Sequence, residues 1–287
     1  MSHWKIPLLV FVATCLFGHD LLAQVGGHDL KRPDVFQRSM EHAQKGWYIT
    51  PGGTYMLGID YADRTSLGGD TIRAQREIPT GKFGAFLQIG RFHALDSRWI
   101  NYVDYGIDFR WLQGNHRREV ETRLGADDPN WTLREGNGNF SDLWLGLTGN
   151  ASFARHITNT IFISHSFGAN VDYAIVRTLD YGGAYEGTVD YSPPVVSAQL
   201  HYKLGIGFKL NRGWYIMPTI ETPMLGIYAW NDAIPALKYL DTYYQPILFG
   251  IQIMRRDKNK PEGCPPEGPT GKDRRRNTEL WDKKMRR

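Results

Sequence analysis

Long runs in which apolar and polar residues alternate dominate the sequence, and successive residues of a strand point to opposite faces. From 101 to 111, Val103, Tyr105, Ile107, Phe109 and Trp111 fall on one face, with Asp104, Gly106, Asp108 and Arg110 on the other. From 195 to 210, Val196, Ala198, Leu200, Tyr202, Leu204, Ile206, Phe208 and Leu210 share one face, against Ser197, Gln199, His201, Lys203, Gly205, Gly207 and Lys209. Runs of about ten residues or more exceed the five or six usual in a soluble sandwich and match a tilted strand crossing a bilayer. Less regular alternation predicts six more strands at 53–61, 82–93, 140–151, 159–171, 214–229 and 243–254. Pro218, Pro223 and Pro246 each lack a ladder donor and are expected at strand ends or bulges.

The connections between these eight strands alternate in length. Short ones fall at 94–98, 152–158 and 211–213, and longer ones at 62–81, 112–139, 172–194 and 230–242. Outer-membrane barrels pair short periplasmic turns with longer external loops in this manner. The expected fold is all-β: an eight-stranded antiparallel transmembrane β-barrel with both termini in the periplasm. A soluble exported binding barrel would share the strand number but turn its apolar faces inward. Alternation alone leaves open which face points inward; the charges on the polar face favour the membrane barrel, because a dry cavity would desolvate them at heavy cost.

Composition adds compartment and domain limits. The 287 residues carry a net charge of +4, with 41% hydrophobic and 13% aromatic residues, which suits one folded domain plus extra chain. Lys5, the apolar run 6–18 and small-residue spacing around Ala23 read as a cleaved secretory signal over 1–23. After it, no stretch is apolar enough to cross a bilayer as a helix. The expected organisation is a periplasmic segment at 24–52, the barrel at 53–254 and a Pro/Gly-rich basic tail at 255–287. Cys15 and Cys264 are the only cysteines, so a processed chain keeps one thiol and no internal disulfide.

The signal end Leu22-Ala23-Gln24, the strand Tyr202-Lys203-Leu204-Gly205-Ile206-Gly207-Phe208 and the strand count together resemble the small outer-membrane β-barrel proteins of Bacteroidota-type bacteria. That resemblance covers roughly 24–255 and its motifs are generic. It implies a location more firmly than an activity, since porin-like, adhesive and secretion-associated members occur. Many such barrels end on an aromatic residue of the last strand, whereas this chain continues past Met254.

An eight-stranded barrel has room inside for little beyond its own side chains. The expected interior polar cluster sets Asp104, Asp108 and Glu221 against Arg110, Lys203 and Lys209, with His201 among them. This reads as a salt-bridged plug; a narrow porin-like channel is the alternative. Ser164-His165-Ser166, followed by Asn170 and Asp172, is the best candidate for an outer-membrane lipid or peptide hydrolase. Strand alternation, however, puts His165 on the face opposite both serines, which separates base from nucleophile. No metal or cofactor motif stands out, and no catalytic residue is assigned.

The tail from 255 to 287 nets +6 while the rest of the chain nets about −2. Its Pro- and Gly-rich first half is expected to be a disordered linker. Its second half offers Arg274, Arg275 and Arg276 for charge contacts and Trp281 as an apolar anchor, for a periplasmic protein or peptidoglycan. Nucleic acid is not an expected partner; outer-membrane lipid is. The functional expectation is a non-enzymatic anchor or accessory component of an envelope secretion or assembly complex.

Overall fold

The computed structural model describes residues 42–258 apart from 60, 69–70, 96, 98, 125–130, 185–192, 211–212, 229–235 and 241. The strands are β1 (His42–Ile59), β2 (Tyr61–Gly68), β3 (Thr71–Gly81), β4 (Phe83–Ala94), β5 (Tyr102–Leu124), β6 (Trp131–His156), β7 (Ile161–Gly183), β8 (Val196–Lys209), β9 (Trp214–Tyr228), β10 (Leu237–Tyr239) and β11 (Thr242–Lys258). Pairings run antiparallel from β1 through β4, β5, β6, β7, β8, β9 and β11, and β11 returns to β1. Eight long strands thus close into a ring, with β2 and β3 prolonging β1 and β4. The chain is an eight-stranded antiparallel barrel.

Each expected strand has its counterpart, but the wall is taller than alternation suggested. β1 begins at His42, within the stretch assigned to an N-terminal segment, and β11 runs on to Lys258. Much of the chain expected as long loops at 62–81, 112–139 and 172–194 continues the ladder: β2 pairs β3, β3 pairs the far half of β5, and β5 pairs β6 out to Arg123↔Trp131. Past Trp111, Leu143 and Val176 the outward positions of β5, β6 and β7 turn polar, beginning with Gln113, Ser141 and Thr178, while backbone pairing carries on. The short connections after β4, β6 and β8 all lie at one end, called here the short-turn end.

The side-chain sorting is inverted relative to a soluble protein. Asp104, Asp108 and Arg110 are buried inside, whereas Tyr105, Ile107, Phe109 and Trp111 stand exposed outside. On β8, Ser197, Gln199, His201 and Lys203 are buried and Val196, Leu200, Ile206 and Phe208 exposed. Leu147, Val171, Ile220 and Ile251 continue the outer apolar belt. Such a surface is stable against hydrocarbon, where the closed ladder also leaves no strand edge to satisfy. Aromatics flank the belt: Trp47 meets Trp214 edge-on at 5.7 Å near the short turns, and Trp111 Nε1 donates to Ser141 Oγ at the opposite border. The soluble-barrel alternative required the reverse orientation.

One seam interrupts the wall. The β9–β11 ladder ends at Glu221↔Leu248, although both strands continue beyond it. Pro223 and Pro246 sit beyond that point without the N–H a ladder needs. Gln245 Nε2 donates to Thr222 Oγ1 across the gap at 3.0 Å, and β10 pairs with β11 at 242–244 in place of β9. The β8–β9 register also shifts beside Pro223, between Leu200 and His201. Leu240, with φ of 52°, turns β10 into β11.

Candidate functional site: the barrel interior

The interior is layered. Nearest the short turns, Tyr48, Phe92, Tyr102, Ala154, Phe162, Tyr215, Met217 and Met254 form an apolar layer. Farther along, Met56, Leu112, Phe140, Trp144, Ala174, Leu237, Tyr239 and Tyr244 form a second. β10 contributes to the second: the Tyr239 ring stacks on Phe140 at 3.7 Å, and its hydroxyl donates to Asp142 Oδ2 at 2.9 Å. Between the two apolar layers lies a fully buried charged layer.

Arg110 is the hub of that layer. Its Nε lies 2.8 Å from Asp108 Oδ1 and its Nη2 donates to Asp108 Oδ2 at 2.9 Å. The same guanidinium reaches Asp172 Oδ2 at 3.4 Å and Glu221 Oε1 at 3.8 Å. Lys203 Nζ pairs with Asp104 Oδ1 at 3.4 Å. A Cβ at Gly146 would collide with carboxylate oxygens of Asp172 and Asp108, so a glycine at this inward position admits the two acids side by side. Buried charges held in water-poor surroundings need this density of partners.

His201 completes the network through two amides. Asn150 Nδ2 donates to Asp104 at 2.7 Å and Asn170 Nδ2 donates to Asp172, so both amides turn their oxygens toward the imidazole. Asn150 Oδ1 lies 2.6 Å from His201 Nε2, and Asn170 Oδ1 lies 3.0 Å from Nδ1. Glu221 Oε1 lies 3.8 Å from the same Nε2. Arg110 and Lys203 thus stand among four carboxylates, Asp104, Asp108, Asp172 and Glu221.

Six of the seven residues expected in the cluster therefore meet: Asp104, Asp108, Arg110, His201, Lys203 and Glu221. Lys209 does not join them. It lies half-buried opposite Tyr215 near the short-turn end, three inward positions below Lys203. Sharing a face along a strand is not sharing a layer. Asp172 is the member that alternation missed, because it was assigned to a loop; the phase of Ser164, Ser166, Gly168 and Asn170 carries straight through it. Asn150, Asn170 and Gln199 were also overlooked, being neutral. Arg274, Arg275, Arg276 and Trp281 lie outside the described residues.

Ser164, His165 and Ser166 take opposite faces. Ser164 is buried against the Tyr102 hydroxyl at 2.9 Å and Ser166 against Ser152 Oγ at 2.8 Å. His165 points to the outer face, 2.5 Å from the Tyr202 hydroxyl. Neither serine has His165 as a base. Among the described residues, no group of three or more His, Cys, Asp or Glu side chains is placed to hold a metal ion. The cavity beside the cluster, lined by Arg110, Asp172, Gln199, Trp144 and Pro246, measures about 10 Å³, room for about one water.

No family model matches the sequence, and no curated protein matches it. Among solved structures the chain is similar to the outer membrane protein OprG from Pseudomonas aeruginosa, with 13% identity over 76% of this chain and 98% of that one, at a TM-score of 0.33. It is also similar to Ail, the attachment invasion locus protein of Yersinia pestis, with 9% identity over 74% and 99% of the chains and a TM-score of 0.25. The translocator domain of the autotransporter NalP from Neisseria meningitidis gives 13% identity over 86% and 97%, at 0.25. Superposition at this level is loose and says nothing of activity; the barrel assignment stands on the closed ladder and the outward apolar belt.

Proposed function

We propose that the chain is a non-enzymatic outer-membrane barrel serving as an anchor or accessory component of an envelope secretion or assembly complex. On this reading the short-turn end and both termini face the periplasm, and the tall strands project from the cell, as in the small barrels of Bacteroidota-type bacteria. The observation that carries it is the lumen: two apolar layers flank a buried layer in which Arg110 and Lys203 are paired with carboxylates of the same wall. A lumen filled by its own side chains is suited to holding a position in the membrane. Work on a partner then falls to chain outside the barrel, and the basic tail with Arg274, Arg275, Arg276 and Trp281 is the proposed strap for a periplasmic protein or peptidoglycan.

The test has two arms on the full chain. In planar bilayers, heat-modifiable purified protein should give no steady conductance; a steady conductance abolished in Asp108→Ala would replace the anchor with a narrow conduit. In cells, removing 259–287 should leave the barrel inserted while its crosslinked periplasmic neighbours disappear. Unchanged neighbours would end the strap role.

A further inference from the structure

The outer surface of β5, β6 and β7 changes character abruptly. At the last row of the belt Trp111, Leu143 and Val176 stand side by side. The next outward rows are Gln113, Ser141 and Thr178; then Asn115, Asn139 and Asp180; then Arg117, Asn137 and Gly182. Within four residues along each strand a lipid-facing wall becomes a platform of amides and hydroxyls. At about 3.3 Å per residue and a tilt near 45°, the Asn139 row lies roughly 10 Å beyond the belt.

This platform holds a pocket of about 300 Å³ lined by Glu135, Asn137, Asn139, Asp180, Tyr181 and the bare backbone of Gly182 and Gly183. Asn137, Asn139 and Asp180 are exposed, and a Cβ placed on Gly182 would meet nothing within 4 Å. The volume is at the lower end of the roughly 300–1,000 Å³ of small-molecule sites. Its chemistry is that of hydroxyl recognition: each amide both donates and accepts, and the Asp180 carboxylate can accept from two adjacent hydroxyls. Phosphate is poorly served, because the nearby Arg117 is engaged by Glu135 at 2.7 Å and Glu119 at 3.3 Å.

We propose that this pocket binds the saccharide part of a glycolipid of the outer leaflet. Resting on the orientation proposed above, the site lies where sugars attached to a membrane lipid would lie, directly over apolar strands that receive the acyl chains. The same three strands thus present both halves of an amphiphile with its own polarity. A soluble glycan would use the pocket alone and forgo the belt.

The variant Asn137→Ala/Asn139→Ala/Asp180→Ala changes exposed side chains only and should keep the heat-dependent gel shift, which checks the barrel separately from the site. Binding of core-complete lipopolysaccharide, of sugar-poor deep-rough lipopolysaccharide and of free core oligosaccharide would be measured on both detergent-solubilised proteins. The expected result is a tenfold or greater loss for core-complete lipopolysaccharide in the variant, no change for the deep-rough form, and free oligosaccharide binding at least tenfold weaker than the intact glycolipid. Equal binding of core-complete lipopolysaccharide to both folded proteins would overturn the site. Free oligosaccharide binding as tightly as the glycolipid would overturn the membrane source. Loss of the heat shift in the unaltered protein would instead strike the membrane reading itself.

Discussion

Asp108 and Ile107 are neighbours in one strand at one height in the wall, yet Asp108 is 0% exposed and Ile107 49% exposed. In a soluble protein those two numbers would be exchanged. Both residues obey the same rule, that each group is placed where its alternative is worse. A carboxylate facing lipid finds no partner, whereas in the lumen it meets Arg110. An isoleucine in the lumen would break the charge network, whereas outside it loses nothing against hydrocarbon. The charged layer and the belt are therefore two responses to one solvent, and each should fail in its own way.

The largest effect is expected in the lumen. Arg110→Ala removes the partner of Asp108, Asp172 and Glu221 at once and leaves buried carboxylates without their cation. Breaking a buried pair in this way typically costs about 3–5 kcal/mol. Urea titration of the refolded barrel should register it, with Asp108→Asn combined with Arg110→Met recovering part of the loss; a loss under about 1 kcal/mol would mean the network is not held as described. On the belt, Leu147 is 65% exposed and pairs with Ile107 at mid-height. Leu147→Arg should cost about 2–4 kcal/mol in lipid, the depth-dependent penalty for a cation at the midplane. The same substitution in a soluble barrel would be nearly neutral, so an unchanged urea midpoint in lipid vesicles would remove the belt from the membrane.

Legibility in the sequence followed the same division. The strand count and the short turns were readable because lipid-facing positions must be apolar on every second residue, as in Val103 to Trp111. The far halves of β5, β6 and β7 were not, because past Trp111, Leu143 and Val176 the outward positions turn polar while backbone pairing persists. The lumen cluster was readable where charges carried the signal, as at Asp104, Asp108 and Lys203. Lys209 lies apart because face parity gives no height, and Asp172 lies one residue past the expected strand end at 171, although Val171, Tyr173 and Ile175 keep the outer apolar face there. The seam was half-visible: Pro223 and Pro246 announced missing donors, but their meeting across β9 and β11 depends on register.

A second buried charge cluster, beyond the belt, offers the mildest and most selective test. Arg118 Nε pairs with Glu77 Oε1 at 2.6 Å, and His116 sits beside them with its Nδ1 3.3 Å from the Tyr244 hydroxyl. Burial and the adjacent Arg118 charge lower the His116 pKa from the ordinary 6.5 to about 4. A base whose pKa falls on folding stabilises the fold in its neutral form. Its contribution is complete above about pH 6.5 and is lost as pH drops toward 4, where the unfolded chain takes up a proton that the folded one refuses. At pH 5.5 the cost comes to roughly 1.4 kcal/mol, about a tenfold change in an opening equilibrium. Amide hydrogen exchange at Arg118 and Val120, corrected for intrinsic rates, should show that extra tenfold loss of protection between pH 7.5 and 5.5. His116→Gln should lack it, leaving only the change due to carboxylates such as Glu77. If wild type and variant lost protection equally, His116 would be exchanging protons with solvent and the projecting layer would be open, unlike the sealed layer around Arg110.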